Sequence, residues 1–395
     1  MFLSNLGIAL DELRAEAAHG PIVVCNVSGY RSDSLLLTAE GITSLPLPRL
    51  DRATVIDRIN AFRLVQNTAL AGTDPAEREQ AQVVLVDALA WLWDAAAGPG
   101  TWRRWGTRAR LCPTRGCPGP APCVVGAGRT AGTPAAACRR PSHGRAAGPY
   151  RRTVMDRVVS SHTPTVRALR RARERGRSLG AGAGAGAGAT ATAAAGRELI
   201  VAMPTTPGLP GGGRLRFADA EAAVLEDRFA HRVVLGERDR AGEDAAPTKA
   251  NVPAHLPRCA IAHFACHGTG DPADPSQSRL LLRDHAEDPL TVKSLDAVAL
   301  DHARLAYLSA CRTAAGDTAA LSDEAIHLTS AFQLAGFPHV IGTLWEIDDQ
   351  TAVHIARAFY DGLATDSGAV DPDRAGRPAR RRTPDPGRRR PAARP

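Results

Sequence analysis

Lysine is almost absent from this chain: of its 49 basic residues only Lys249 and Lys293 are not arginine. With the heavy use of Ala, Gly and Pro, that bias marks a GC-rich coding sequence rather than a function. No apolar run approaches the roughly 18 residues that a membrane-spanning helix needs, which excludes a spanning segment. The first 20 residues carry Asp11, Glu12 and Glu16 against a single Arg14. They lack the basic start and apolar middle of a secretory signal, so a cytoplasmic protein is expected. Acidic residues are missing from 101–150, where nine Arg stand alone, and the tail 364–395 holds nine Arg against four acids. The formal charge of +8 is confined to these two stretches; residues 1–100 sum to −5 and 151–363 to −1. Arms of this kind can bind phosphate backbones, but a disordered arm is the favoured interpretation, and no nucleic-acid partner is expected.

Other absences narrow the chemistry. There is no GxxxxGK[ST], no GxGxxG opening a helix after a strand and no GxSxG elbow. The glycine-rich GLPGGG at 208–213 follows a strand but has no Lys-Ser/Thr behind it, so it is weak as a nucleotide site. The eight cysteines lack a secretory context, so a disulfide framework is not expected. Cys112, Cys117, Cys123, Cys138 and His143 open on a CxxxxC spacing, a poor zinc pattern.

What is there reads as two regions of regular structure around an irregular one. Residues 2–17 predict an amphipathic helix with Phe2, Leu6, Leu10 and Leu13 on one face. IVVCNVS (22–28) and SLLLTA (34–39) predict a hairpin, and 51–66 and 75–95 predict helices. Residues 99–150 follow neither a two-residue nor a 3.6-residue period. Such a segment cannot offset its ordering entropy with buried surface and is expected to be disordered; a shifted reading frame would produce this composition. Val154–Ser161 predicts a strand, an Arg-rich helix runs to about Gly176, and the alternating Gly/Ala run that follows predicts a loop at 180–196. From Glu198 strands and helices alternate: strands at 199–203, 231–235, 259–265, 305–310 and 339–345, helices at 217–230, 323–335 and 350–363. Asp219 and Glu221 suit the positive end of the first of these helices. The rhythm predicts an α/β fold with a mainly parallel sheet covered by helices.

Two buried strands end at His267 and Cys311. In parallel sheets the carboxyl ends of strands face the ligand crevice, so neighbouring strands would bring the two side chains to one rim. An imidazole beside a thiol can take its proton, and the thiolate is the nucleophile. Gly268 keeps the backbone open to a substrate, and the amides of Gly268 and Cys311 could face an oxyanion. Cysteine also simply packs, and on the residues alone both alternatives stay open. Cys266 has the opposite parity to His267 and is expected in the core. A metal set of Cys259, His263, Cys266 and His267 is disfavoured, because an extended strand does not let them converge. Asp323, Glu324, Asp348 and Asp349 are weak candidates for binding a basic substrate side chain; they equally suit helix starts.

Residues 199–363 resemble the CHAT domain, a caspase- and separase-like cysteine peptidase domain. The matching stretches are VAMPTTPGLPGGGRLRFADAEA (201–222), PTKANVPAHLPRCAIAHFACHG (247–268), DPSQSRLLLRDHAEDPLTVKSL (274–295), LAYLSACRTA (305–314) and DEAIHLTSAFQLAGFPHVIGTLWEIDD (323–349). The resemblance implies a caspase-like three-layer sandwich and a catalytic dyad of His267 and Cys311. It implies peptide-bond hydrolysis through an acyl-thioester, with no metal and no organic cofactor. The expected partners are a protein or peptide substrate and a TPR-containing or signalling protein. The expected organisation is a helix-plus-hairpin region at 1–98, an irregular basic segment at 99–150, the CHAT domain at 151–363 and a disordered Arg/Pro-rich tail at 364–395. An inactive pseudoenzyme or protein-interaction module is the alternative. No third residue that would orient the imidazole can be assigned.

Overall fold

The computed structural model describes residues 10–97, 121–126, 158–163, 165–184, 197–237, 245–269, 271, 274–295, 298, 300–309, 328–343, 347, 349–365 and 369–376. Helix α1 (Leu10–Ala17) leads into strands β1 (Ile22–Asn26), β2 (Asp33–Thr38) and β3 (Gly41–Pro46). Helices α2 (Arg52–Ala71) and α3 (Pro75–Leu92) follow as a hairpin. Each starts on an aspartate: Asp51 accepts the Thr54 N–H and Asp74 the Ala76 N–H, satisfying donors that a helix start leaves open. Pro75 occupies the first turn of α3, where its missing N–H costs nothing. Strands β4 (Ala121–Gly126) and β5 (Val158–Thr163) complete a sheet of order β3-β2-β1-β4-β5. The predicted β1–β2 hairpin is present, with Ile22 opposite Leu37. Two of its neighbours differ from expectation. β3 was not anticipated, because GITSLP carries no apolar alternation. β4 lies where no period is visible; its pairing comes from parallel neighbours on both sides, a long-range fact that a six-residue segment does not advertise.

Helix α4 (Val166–Gly184) runs further into the Gly/Ala stretch than the expected end at Gly176. Its arginines reach both ways. Arg173 donates to the carbonyl and carboxylate of the buried Glu16 on α1, at 2.7 and 2.8 Å. Arg175 donates to the Leu300 carbonyl at 2.9 Å and to the Gly336 carbonyl at 3.3 Å.

The second sheet holds β6 (Arg197–Ala202), β7 (Arg232–Gly236) and β8 (Cys259–Ala265). Next in the chain come three short strands, β9 (His267–Thr269), β10 (Arg279–Leu281) and β11 (Leu290–Thr291), which pair among themselves as a small antiparallel sheet. β12 (Leu305–Leu308) and β13 (His339–Gly342) then return to the large sheet, whose order is β13-β12-β8-β6-β7 with every pair parallel. Its helices are α5 (Ala218–Glu226), α6 (Asn251–His255), α7 (Val292–Leu295), α8 (Leu328–Ala335) and α9 (Asp349–Leu363).

Strand parity divides the core in two. Ile200, Ile261, Leu305 and Tyr307 pack with Leu225 of α5 and Tyr360 of α9. Val201, Phe264, Ala306 and Leu308 pack on the other face with Val252 of α6 and Phe332 of α8. Both faces are apolar, which is why these strands read as near-continuous hydrophobic runs. The result is a three-layer α/β arrangement of the caspase-like kind. Helix α8 ends in the manner that Gly336 and Pro338 suggest. Gly336 sits at φ 134°, and Phe337 N–H returns to the Phe332 carbonyl at 3.0 Å. Beyond Leu363, where disorder was expected, Ala364 bridges Val370, and Asp373 pairs with Arg304. No helix among the described residues is long and apolar enough to cross a membrane.

One interior strand of this sheet carries a pH-dependent weakness. Glu198, the second residue of β6, has Oε2 enclosed and unpartnered, and burial pushes its carboxyl up to about 7. The native state holds a proton that the unfolded chain releases in the ordinary carboxyl range. Its stabilising share is therefore present below that range and is lost as pH rises through about 7. Glu198→Gln is expected to raise the thermal midpoint at pH 8 and to change it little near pH 4. An equal gain at both pH values would remove the buried charge as the cause.

Candidate active site

Strand β8 is buried along its length because its alternating side chains serve both faces of the large sheet. At its end Cys266 turns into the core at 0% exposure, as its parity requires. His267, on the opposite parity, begins β9 and is partly exposed. Its Nε2 lies 3.1 Å from the carbonyl oxygen of Gly213. A carbonyl can only accept, so the nitrogen facing it carries a proton, and a neutral ring would hold its basic lone pair on Nδ1.

That carbonyl is held by a loop that bonds to itself. Thr206 N–H donates to the Gly212 carbonyl at 2.8 Å, Gly212 N–H to Leu209 at 2.9 Å and Gly213 N–H to Pro210 at 3.2 Å. Gly213 sits at φ 55°, and a Cβ there would lie 2.8 Å from the Cβ of Thr206. A glycine is therefore needed both for the left-handed backbone and for the close approach. The loop read from sequence as a weak nucleotide motif is thus the element that touches the imidazole. Backbone carbonyls have no signature in sequence, so only the glycine-rich composition hinted at it.

β12 lies beside β8 in parallel, with Leu308 opposite Phe264 and the Ser309 N–H donating to the Phe264 carbonyl at 2.9 Å. Beneath this rim is a buried polar cluster. Glu221, on α5, is 4% exposed; its Oε2 accepts from Ser309 Oγ at 3.0 Å and its Oε1 lies 3.2 Å from His263 Nε2. The His263 contact is close but off the hydrogen-bond axis, since both atoms lack an aligned partner. It is a close carboxylate–imidazole contact rather than a hydrogen bond. His263 Nδ1 meets the Tyr360 hydroxyl at 3.2 Å, and its ring stacks on Tyr307 with centroids 4.8 Å apart. Burial, with Glu221 nearby, pushes both tyrosine hydroxyls well above their ordinary range, so they stay protonated. This corrects the role expected for Glu221. It does not merely serve the positive end of α5; its spacing with Ala218, Ala222 and Leu225 places it on the helix face turned to the sheet.

The other candidates distribute as follows. Gly268 lies in β9 opposite Leu280. Asp349 opens α9 and its Oδ2 accepts the Arg216 N–H at 2.9 Å. Cys311, Asp323, Glu324 and Asp348 lie outside the described residues, as do Cys112, Cys117, Cys138 and His143. The three described thiols are poor nucleophiles. Burial pushes Cys25 up to about 11 and Cys259 up to about 12, and Cys266 is sealed in the core. Cys259 Sγ points to the His255 carbonyl and His263 to the Glu221 cluster. No group of three His, Cys, Asp or Glu among the described residues could hold a metal ion.

No curated protein matches the chain. The family model of the CHAT domain matches residues 124–394. That match spans more than half of the sequence and takes in the whole parallel sheet, so the chain belongs to the CHAT-domain family.

Proposed function

We propose that the protein is a cysteine peptidase in which His267 and Cys311 form the dyad. The observation that carries this is the bond between His267 Nε2 and the Gly213 carbonyl, which makes Nδ1 the basic nitrogen whenever the ring is neutral. The register supports the partner. Leu308 faces Phe264, and Cys311 follows Leu308 by the same three residues that separate His267 from Phe264. This equal spacing in sequence from paired positions on neighbouring parallel strands is what favours the pairing.

In this scheme His267 Nδ1 takes the Cys311 thiol proton and the thiolate attacks the scissile carbonyl carbon. The oxyanion that forms is received by the N–H groups of Gly268 and Cys311. The tetrahedral species collapses as the C–N bond breaks, and the imidazolium returns its proton to the departing amine. Water, deprotonated by the same imidazole, then hydrolyses the acyl-thioester. The Gly213 carbonyl fixes the ring and favours the imidazolium while it exists. The substrate is a protein or peptide.

A thiol-reactive peptide probe with mass-spectrometric mapping tests the scheme. Modification is expected at Cys311, and His267→Ala is expected to slow it about a hundredfold or more, the usual contribution of a positioned base. Labelling that ignores His267, or peptide cleavage that survives Cys311→Ala, would refute the dyad and leave the inactive interaction module as the better account.

A further inference from the structure

A guanidinium shares the face on which His267 lies. In the small antiparallel sheet His267 pairs with Leu281, Thr269 with Arg279, and Arg279 in turn with Thr291. Cross-strand partners project to the same side of a sheet. Leu280 and Leu282, of the other parity, are fully buried in the core cluster. Arg279 therefore projects from the His267 side, diagonal to the imidazole. Diagonal neighbours stand about 7–8 Å apart, the length of roughly two residues of extended peptide.

Arg279 is also unsatisfied. Its Nε is enclosed with no hydrogen-bond acceptor, and no ion pair is formed with it among the described residues. The nearby Ser278 hydroxyl is taken by the Asp271 N–H, and Thr291 Oγ1 is paired with Ser294. An enclosed guanidinium nitrogen without an acceptor is costly, and such groups in folded proteins need an explanation. The planar fork matches a carboxylate with two parallel N–H donors.

We infer that Arg279 is a carboxylate-binding subsite that selects peptides carrying an acidic group within about two residues of the bond presented to His267. The inference rests on the peptidase scheme for the nature of its ligand, but its test does not need turnover. Binding is measured with Cys311→Ala protein on an array of amino-acetylated, carboxy-amidated decapeptides. The peptides are arranged in pairs that differ only by Asp against Asn or Glu against Gln. Acidic members are expected to bind about tenfold or more tighter than their amide twins, the scale of a charge-assisted hydrogen bond. Adding Arg279→Gln should abolish that gap, Arg279→Lys should narrow it, and Arg279→Glu should turn the preference toward basic peptides. A parallel array with free carboxyl termini shows whether a side chain or a chain end supplies the charge; a gap at either upholds the subsite. Equal binding of acid and amide twins, absence of peptide binding, or a gap that survives Arg279→Gln would overturn the inference. The acid–amide contrast in the parent requires no Arg279 variant to fold. Failure here leaves His267-dependent labelling of Cys311 untouched, so the two proposals fall separately.

Discussion

Gly213→Ala is expected to lower peptide turnover by roughly a hundredfold, with the loss in kcat rather than in KM. Two costs combine at this position. Alanine at φ 55° pays the left-handed penalty, on the order of 1–2 kcal/mol, and its methyl group meets Thr206 Cβ at 2.8 Å and Leu209 Cδ1 at 3.0 Å. Leu209 can swing aside, but Thr206 is fully buried and its Cβ is tied to the backbone. The loop must therefore shift, and with it the carbonyl that holds His267 Nε2. A displacement near 1 Å in an orienting group can cost about a hundredfold in rate. Gly212→Ala is the control: it too has positive φ, at 71°, but a Cβ there meets nothing within 4 Å. It pays the backbone penalty without moving the carbonyl by collision, so its turnover should stay within a fewfold of the parent. Equal losses in the two variants would mean that loop strain, not the carbonyl, is responsible.

Glu221→Ala is expected to destabilise the fold by about 3 kcal/mol, because removing one member of a buried polar cluster strands the others. The carboxylate has Ser309 Oγ on one oxygen and His263 Nε2 beside the other, all below the rim where β8 and β12 end. Without it the Ser309 hydroxyl loses its partner and the fully buried His263 Nε2 loses the carboxylate beside it, while both keep their desolvation cost. Ser309→Ala removes only the hydroxyl and should cost about 1 kcal/mol, the net worth of an ordinary hydrogen bond. Urea unfolding of both variants checks the order. A Glu221→Ala loss no larger than that of Ser309→Ala would show that the His263 contact contributes nothing. Ser309 is also two residues before Cys311, so the Glu221 variant is expected to slow probe labelling as well as to unfold earlier.

Much of this was readable from local pattern. CAIAHFA predicts β8 to the residue, and the parity rule correctly sent Cys266 into the core and His267 out of it. The apolar spacing of residues 350–363 anticipates α9 within one residue at its start. The small sheet was not readable. Its strands are two or three residues long, too short for any period, and are held by pairing across ten or more residues of chain. β4 escaped for the same reason. The acidic start read into α5 was right about charge and helix but did not reveal that Glu221 is buried against the sheet, a fact that its first-turn position does not advertise.

The amino-acid order alone determined the alternation of strands and helices, the parallel character of the main sheet and the side chains suited to nucleophile and base. Those properties follow from side-chain parity and capping over a few neighbouring residues. Tertiary structure decided what acts on them: the Gly213 carbonyl on His267, Glu221 beneath Ser309, and Arg279 on the imidazole's face. Each depends on register between segments 54, 88 and 12 residues apart, and in the first case on a backbone oxygen that every residue possesses.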